Sequence, residues 1–354
     1  MARRALLSCA VAAALAACSS GAAQQSSPLG ATIPGATHRA VPVPAASTTT
    51  AIHPNRAKSW ISPDAKNVPR LLFISDYGAS DVDIFSMPDM TLKGTLTGFS
   101  FPEGECNDTN GNIWIANTGG QQLLLYSRTG SLLKTLNISG EYPAACAVSR
   151  SNGDLAVANI ESSTAGPGNI MVFPNGSGSG TAYTNSSISE YFFVGYDRAG
   201  NLYFDGTDAT RTSSYLAELP AGSSNTELIN LTNGTLHLAG FVQWYRSGNY
   251  LALGDQQCNG STQSCVYWVN ISGSSGTITG TTTLVNSQGG QVCDLVQGVI
   301  AASHQRYLAG PDYESCGYTA STAYRWHYDA GGTPTNYNDT AAFTEPIGAA
   351  ISAK

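Results

Sequence analysis

Gly111-Asn112-Ile113-Trp114-Ile115-Ala116-Asn117, followed after Thr118-Gly119-Gly120-Gln121 by Gln122-Leu123-Leu124-Leu125-Tyr126, is the stretch on which the fold turns. A Gly-Asn pair opens it, and two short apolar runs separated by turn residues read as successive strands. The first run returns as Gly153-Asp154-Leu155-Ala156-Val157-Ala158-Asn159, Gly200-Asn201-Leu202-Tyr203-Phe204-Asp205 and Gly248-Asn249-Tyr250-Leu251-Ala252-Leu253-Gly254-Asp255. Looser copies are Arg70 to Asp76 and Arg306 to Asp312. The second run also returns, and taking Phe85, Tyr126, Phe173, Leu219, Val269 and Tyr328 as equivalents gives a period of about 49 residues, the length of four short strands with their turns.

Six such units fill Arg70 to Lys354. The expected architecture is all-β, a six-bladed β-propeller, with a sandwich or an array of separate small domains as the alternative and a seventh, degenerate unit between Tyr267 and Tyr328 as the competing count. A further run opens the innermost strand of each unit: Phe101 to Cys106, Tyr142 to Ser149, Phe192 to Asp197, Leu238 to Gln243. The unit at Arg70 has none before it. Its counterpart is Glu345-Pro346-Ile347-Gly348-Ala349-Ala350-Ile351-Ser352 at the far end, so the C-terminal strand is expected to join the first blade and close the ring, removing two exposed sheet edges.

The 354 residues carry 42% hydrophobic and only 12% charged side chains, with 38 Gly and 16 Pro, which suits turn-rich β structure and excludes helical bundles. With 17 Lys+Arg against 24 Asp+Glu the formal charge is −7, and no Lys/Arg cluster stands in the linear sequence, so nucleic acid is not an expected partner.

Residues 1–17 form a basic start, Arg3-Arg4, and an apolar run of signal-peptide length. Leu15-Ala16-Ala17-Cys18 resembles the lipobox of bacterial lipoproteins, which implies cleavage before Cys18, lipidation there, and a bacterial cell-envelope location with contact to the membrane through the anchor alone. A plain secretory signal is the other reading, and it too exports the chain. Residues 18–69, rich in Ala, Ser, Thr and Pro, read as a disordered tether, with Trp60 and Ile61 near its end as a candidate anchor to the folded body. Residues 70–354 form the propeller.

Setting aside Cys9 and Cys18 leaves six cysteines in an oxidising compartment. Cys258–Cys265 closes a turn-rich loop, Cys106–Cys146 joins equivalent places on neighbouring inner strands, and Cys293–Cys316 follows by elimination. Zinc is a poor alternative, because no CxxC pair exists and the five histidines are scattered.

The repeat places Asp76, Asn117, Asn159, Asp205, Asp255 and Asp312 at the ends of second strands, and Glu103, Glu105, Gln243 and Asp294 near inner strands. Together they are the candidate ligand-binding residues of the channel mouth where inner strands begin, suited to Ca²⁺ or a small polar ligand such as a sugar. The competing expectation is that Asp and Asn at strand ends hydrogen-bond their own turns. Trp114, Tyr203, Tyr250 and Tyr307 recur in the second strands and read as packing between blades or a stacking platform.

Residues 111–126 resemble the unit of NHL-type propellers and of the virginiamycin B lyase-like and gluconolactonase-like families. The gluconolactonase-like resemblance implies a divalent metal held by a Glu, an Asn and an Asp, for which Glu103, Glu105 and Asp294 are candidates, although no Asn matches. The lyase-like resemblance implies a histidine at the channel mouth; His237 precedes an inner strand, while His304 and His327 fall at a turn and on an outer run. The sequence thus points to an exported, lipid-anchored binding module or scaffold for a small polar ligand or an envelope protein. The alternative is a metal-dependent hydrolase or lyase.

Overall fold

A computed structural model describes residues 58–301, 306–313 and 321–353. The signal peptide, Cys18, the tether as far as residue 57, His304 and Cys316 lie outside the described residues.

Six sheets surround a common axis. Blade 2 shows the plan: Pro102–Asn107 innermost, then Ile113–Asn117, Gln122–Tyr126 and Leu132–Asn137, each antiparallel to its neighbour. The inner strands of blades 3 to 6 are Glu141–Val148, Glu190–Tyr196, Ala239–Tyr245 and Val299–Ala301. Blade 1 is assembled from both ends of the chain. Its inner strand is Ala350–Ala353, paired antiparallel with Arg70–Phe73 in the register Arg70↔Ala353 to Phe73↔Ala350. A bridge between Asp76 and Pro346 extends the seam. Ring closure by the C-terminal strand is therefore observed, and the count is six.

Second strands are buried end to end: every residue from Leu71 to Asp76, from Ile113 to Asn117 and from Tyr250 to Asp255 is covered. Each lies between two neighbouring blades, so both of its faces need apolar or hydrogen-bonded side chains, and the sequence shows continuous apolar runs instead of alternation. The aromatics at their shared position serve this packing. Trp114, Tyr203, Tyr250 and Tyr307 are all buried, with Tyr203 stacked on Trp244 and Tyr250 on Trp268.

Inner strands converge on the axis and carry small residues where they meet. A Cβ at Gly104 would lie 2.6 Å from the Ala144 carbonyl oxygen, and one at Gly195 would lie 2.5 Å from that of Val242. Only glycine lets adjacent strands approach this closely. Cys106–Cys146 bridges the inner strands of blades 2 and 3, and Cys258–Cys265 closes its loop, both as expected. Cys293 is also disulfide-bonded, but Cys316 is not among the described residues.

The folded body begins earlier than the compositional break at Arg70. Trp60–Ile61 pairs with Gly94 and Thr95 as a fifth, outermost strand of blade 1, Ile61 packs against that blade's core, and Arg128 donates 2.7 Å to the Val68 carbonyl. Trp60 itself stays 45% exposed, so it is backbone pairing and Ile61 that fix this segment.

Candidate functional site

The acids and amides that end the second strands are committed to backbone. Asp76 accepts from the amides of Ala79, Thr344 and Glu345 at 2.7–2.9 Å. Asp255 accepts from those of His237, Leu238 and Gln257, Asp312 from Cys293 and Asp294, Asn117 from Ser100, and Asp205 from Phe193. In each case the side chain holds the segment entering the inner strand of its own blade, or the bulge within it. The inner strands of blades 2 to 5 each shift register against the second strand, which frees amides that these oxygens take up. Asn159 departs from the pattern, donating 2.8 Å to Asn169, which in turn donates to Glu141. This repeated side-chain-to-backbone role is the one described for turn-forming Asp and Asn.

The mouth where inner strands begin is nearly filled. Leu238, Val296 and Ile347 close around a void of about 30 Å³, and Glu103 lies at its edge. Burial holds the Glu103 carboxyl well above the usual carboxylate range. The neighbouring Thr118 hydroxyl, which donates 2.7 Å to the Pro143 carbonyl, opposes this rise only in part.

Glu103, Glu105 and Asp294 are not brought together. The bulge between Pro102 and Glu105 turns the two glutamates toward different cavities, and Asp294 lines neither. Among the described residues no group of three His, Cys, Asp or Glu side chains is placed to hold a metal ion. His237 is tied at both its backbone amide and ring Nδ1 to Asp255, at 3.1 and 3.3 Å.

A far larger cavity, about 440 Å³, opens at the opposite mouth, where inner strands end. That volume is within the range of small-molecule sites. Val148, Val242 and Trp244 supply apolar wall, and Arg70, Arg150 and Arg246 stand around it. Glu105 and Gln243 lie here too, on the opposite side from where the sequence placed them. The Gln243 amide clamps both backbone groups of Ile300 at 2.8 Å, which sews blade 5 to blade 6. Gln297 reaches from blade 6 to accept from the amides of Glu105 and Ala349 and to donate to the Glu105 carbonyl. Beside this clamp Glu105 is 2% exposed, and burial raises its carboxyl well above the usual range against a weak opposing effect of the Ala350 amide.

The arginines were not evident from sequence because they are dispersed along it. Arg150, Arg198 and Arg246 each sit in the turn after an inner strand, two or three residues before the glycine that marks the repeat. The ring brings together what the linear chain separates: Arg198 donates 2.6 Å to the Arg246 carbonyl, and Arg150 and Arg198 both act electrostatically on the Arg246 guanidinium. The sequence signal is an arginine recurring two or three residues before Gly153, Gly200 and Gly248.

No protein-family description and no curated protein matches the sequence. Among solved structures, a chain of a nidogen/laminin complex is similar over 80% of this chain and 98% of its own length, with a TM-score of 0.58 at 10% identity. A protein of unknown function from Bacteroides caccae covers 81% of this chain and 100% of its own, with a TM-score of 0.57 at 13% identity. At these identities the likeness shows the six-bladed propeller fold alone.

Proposed function

We propose that this chain is an exported, lipid-anchored binding module that takes a small molecule into the channel mouth where its inner strands end. The observation that carries this reading is the cavity of about 440 Å³ at that mouth, with apolar wall and charged rim. Binding is favoured over metal-dependent hydrolysis or lysis because the acids such a reaction would draw on hold backbone amides or face separate cavities. Two disulfides on a chain that opens with a signal-like segment support export.

Thermal-shift screening of a small-molecule library tests the site, comparing the native chain with Val148→Trp, which fills the cavity. Compounds should stabilise the native chain and lose that effect in the variant. Equal stabilisation of both would refute the site, and turnover of a bound compound would refute a purely binding role.

A further inference from the structure

We infer that the ligand of this mouth is a small organic anion, a carboxylate or a phosphate ester, gripped by Arg150, Arg198 and Arg246. The inference rests on the binding reading above and names its ligand class.

The three guanidinium groups come from the equivalent turn of three successive blades, in a protein with a formal charge of −7. Among the described residues no carboxylate forms an ion pair with any of them. Like charges held within electrostatic reach of one another cost free energy that a bound anion relieves. Arg198 is positioned by its hydrogen bond to the Arg246 carbonyl; all three residues are solvent-exposed, and Arg150 and Arg246 line the cavity itself.

The acids at the cavity do not cancel this field. Glu105 is buried, which raises its carboxyl well above the usual carboxylate range, and among the described residues its carboxyl oxygens have no well-formed hydrogen-bond partner. Asp197 accepts from the amides of Ala199 and Asn201 and from the Asn201 side chain at 2.8–2.9 Å, which ties its carboxylate to its own turn. The lining therefore sets Arg70, Arg150 and Arg246 against a buried Glu105 and a turn-bound Asp197, with Arg198 adjoining. Guanidinium forks match the oxygen pairs of carboxylate and phosphate, and the apolar wall of Val148, Val242 and Trp244 gives the ligand's body a surface to pack on.

Calorimetric titration of the full-length mature protein with glucose, glucuronate and glucose 6-phosphate isolates charge from shape. Each anion should bind at least about tenfold more tightly than glucose, and added salt should weaken it. If only one of the two does, it identifies the anionic group. Arg150→Gln/Arg246→Gln, both at exposed positions, should reduce anion affinity at least about tenfold without moving the melting temperature. Glucose binding as tightly as both anions, or a double variant with undiminished anion affinity, would overturn the anion assignment. If neither anion binds while library compounds still stabilise the protein in a Val148-dependent way, the assignment fails and the binding module stands.

Discussion

Ile351 is the side chain on which the closure of the ring can be weighed. It belongs to the inner strand that the C-terminus adds to blade 1, and it packs in one cluster with Leu72, Ile74 and Phe85 of that blade and with Tyr307 and Ala309 of blade 6. Truncation to alanine leaves a cavity at the seam between the two ends of the ring, a change that costs about 2–5 kcal/mol at buried isoleucines. For a chain of this size each kcal/mol lowers the melting temperature by roughly 2 °C, so Ile351→Ala should melt about 4–10 °C below the native protein by scanning calorimetry. Leu133→Ala is the control: Leu133 is 53% exposed on the outer strand of blade 2, and its loss should change stability by no more than about 0.5 kcal/mol. Deleting residues 345–354 removes Ile347 as well, together with the ladder to Arg70–Phe73 and the bonds from the Ile347 amide to Ser75 and from the Tyr77 amide to Glu345. Two buried isoleucines alone are worth about 4–10 kcal/mol, most of the roughly 5–15 kcal/mol that holds a domain folded, so the truncated chain should not fold cooperatively. The reasoning is refuted if the truncated protein melts with the intact one, or if Ile351→Ala shifts the midpoint no further than Leu133→Ala.

The two observed disulfides should differ in worth because they close loops of different length. Cys106→Ser/Cys146→Ser, opening a separation of 40 residues, should cost about 4 kcal/mol, and Cys258→Ser/Cys265→Ser, opening one of 7, about 2.5 kcal/mol. Urea unfolding measures both, and the reverse order would contradict the loop-entropy account. Burial raises the carboxyls of Glu103 and Glu105, so the folded protein keeps protons that the unfolded chain releases above about pH 4.5. The stability these groups contribute is fully present below that pH and is lost as pH rises through the folded-state values, by up to about 1.4 kcal/mol per pH unit per group. Relative to the native chain, Glu103→Gln/Glu105→Gln should therefore melt higher at pH 8 than at pH 5. An equal difference at both pH values would show that the carboxyls ionise normally.

Repetition made the architecture legible. The Gly-Asn turn followed by an apolar run marked the second strands because both of their faces are buried, and the orphan copy at Glu345 to Ser352 marked the closing strand because every other inner strand precedes its partner in sequence. The site was less legible for two physical reasons. Asp255 or Asp312 seen in sequence is a free oxygen donor, whereas in the fold the bulged inner strand turns it into a backbone cap. Arg150 and Arg246 are 96 residues apart along the chain, so only the curvature of the ring makes them neighbours. Trp60–Ile61 stood out as an apolar anchor in a polar tract, but its pairing as a strand did not, because a two-residue edge strand leaves no periodicity to detect.

Blade 1 receives the chain at its rim and ends it at the axis. A pulling force on the N-terminal side of the body reaches the Trp60–Ile61 strand first, where two register pairs carry it. That strand lies at the opposite edge of the five-stranded sheet from Ala350–Ala353, with three strands between them. The attachment of the N-terminal segment and the closure of the ring thus fall on opposite edges of one sheet.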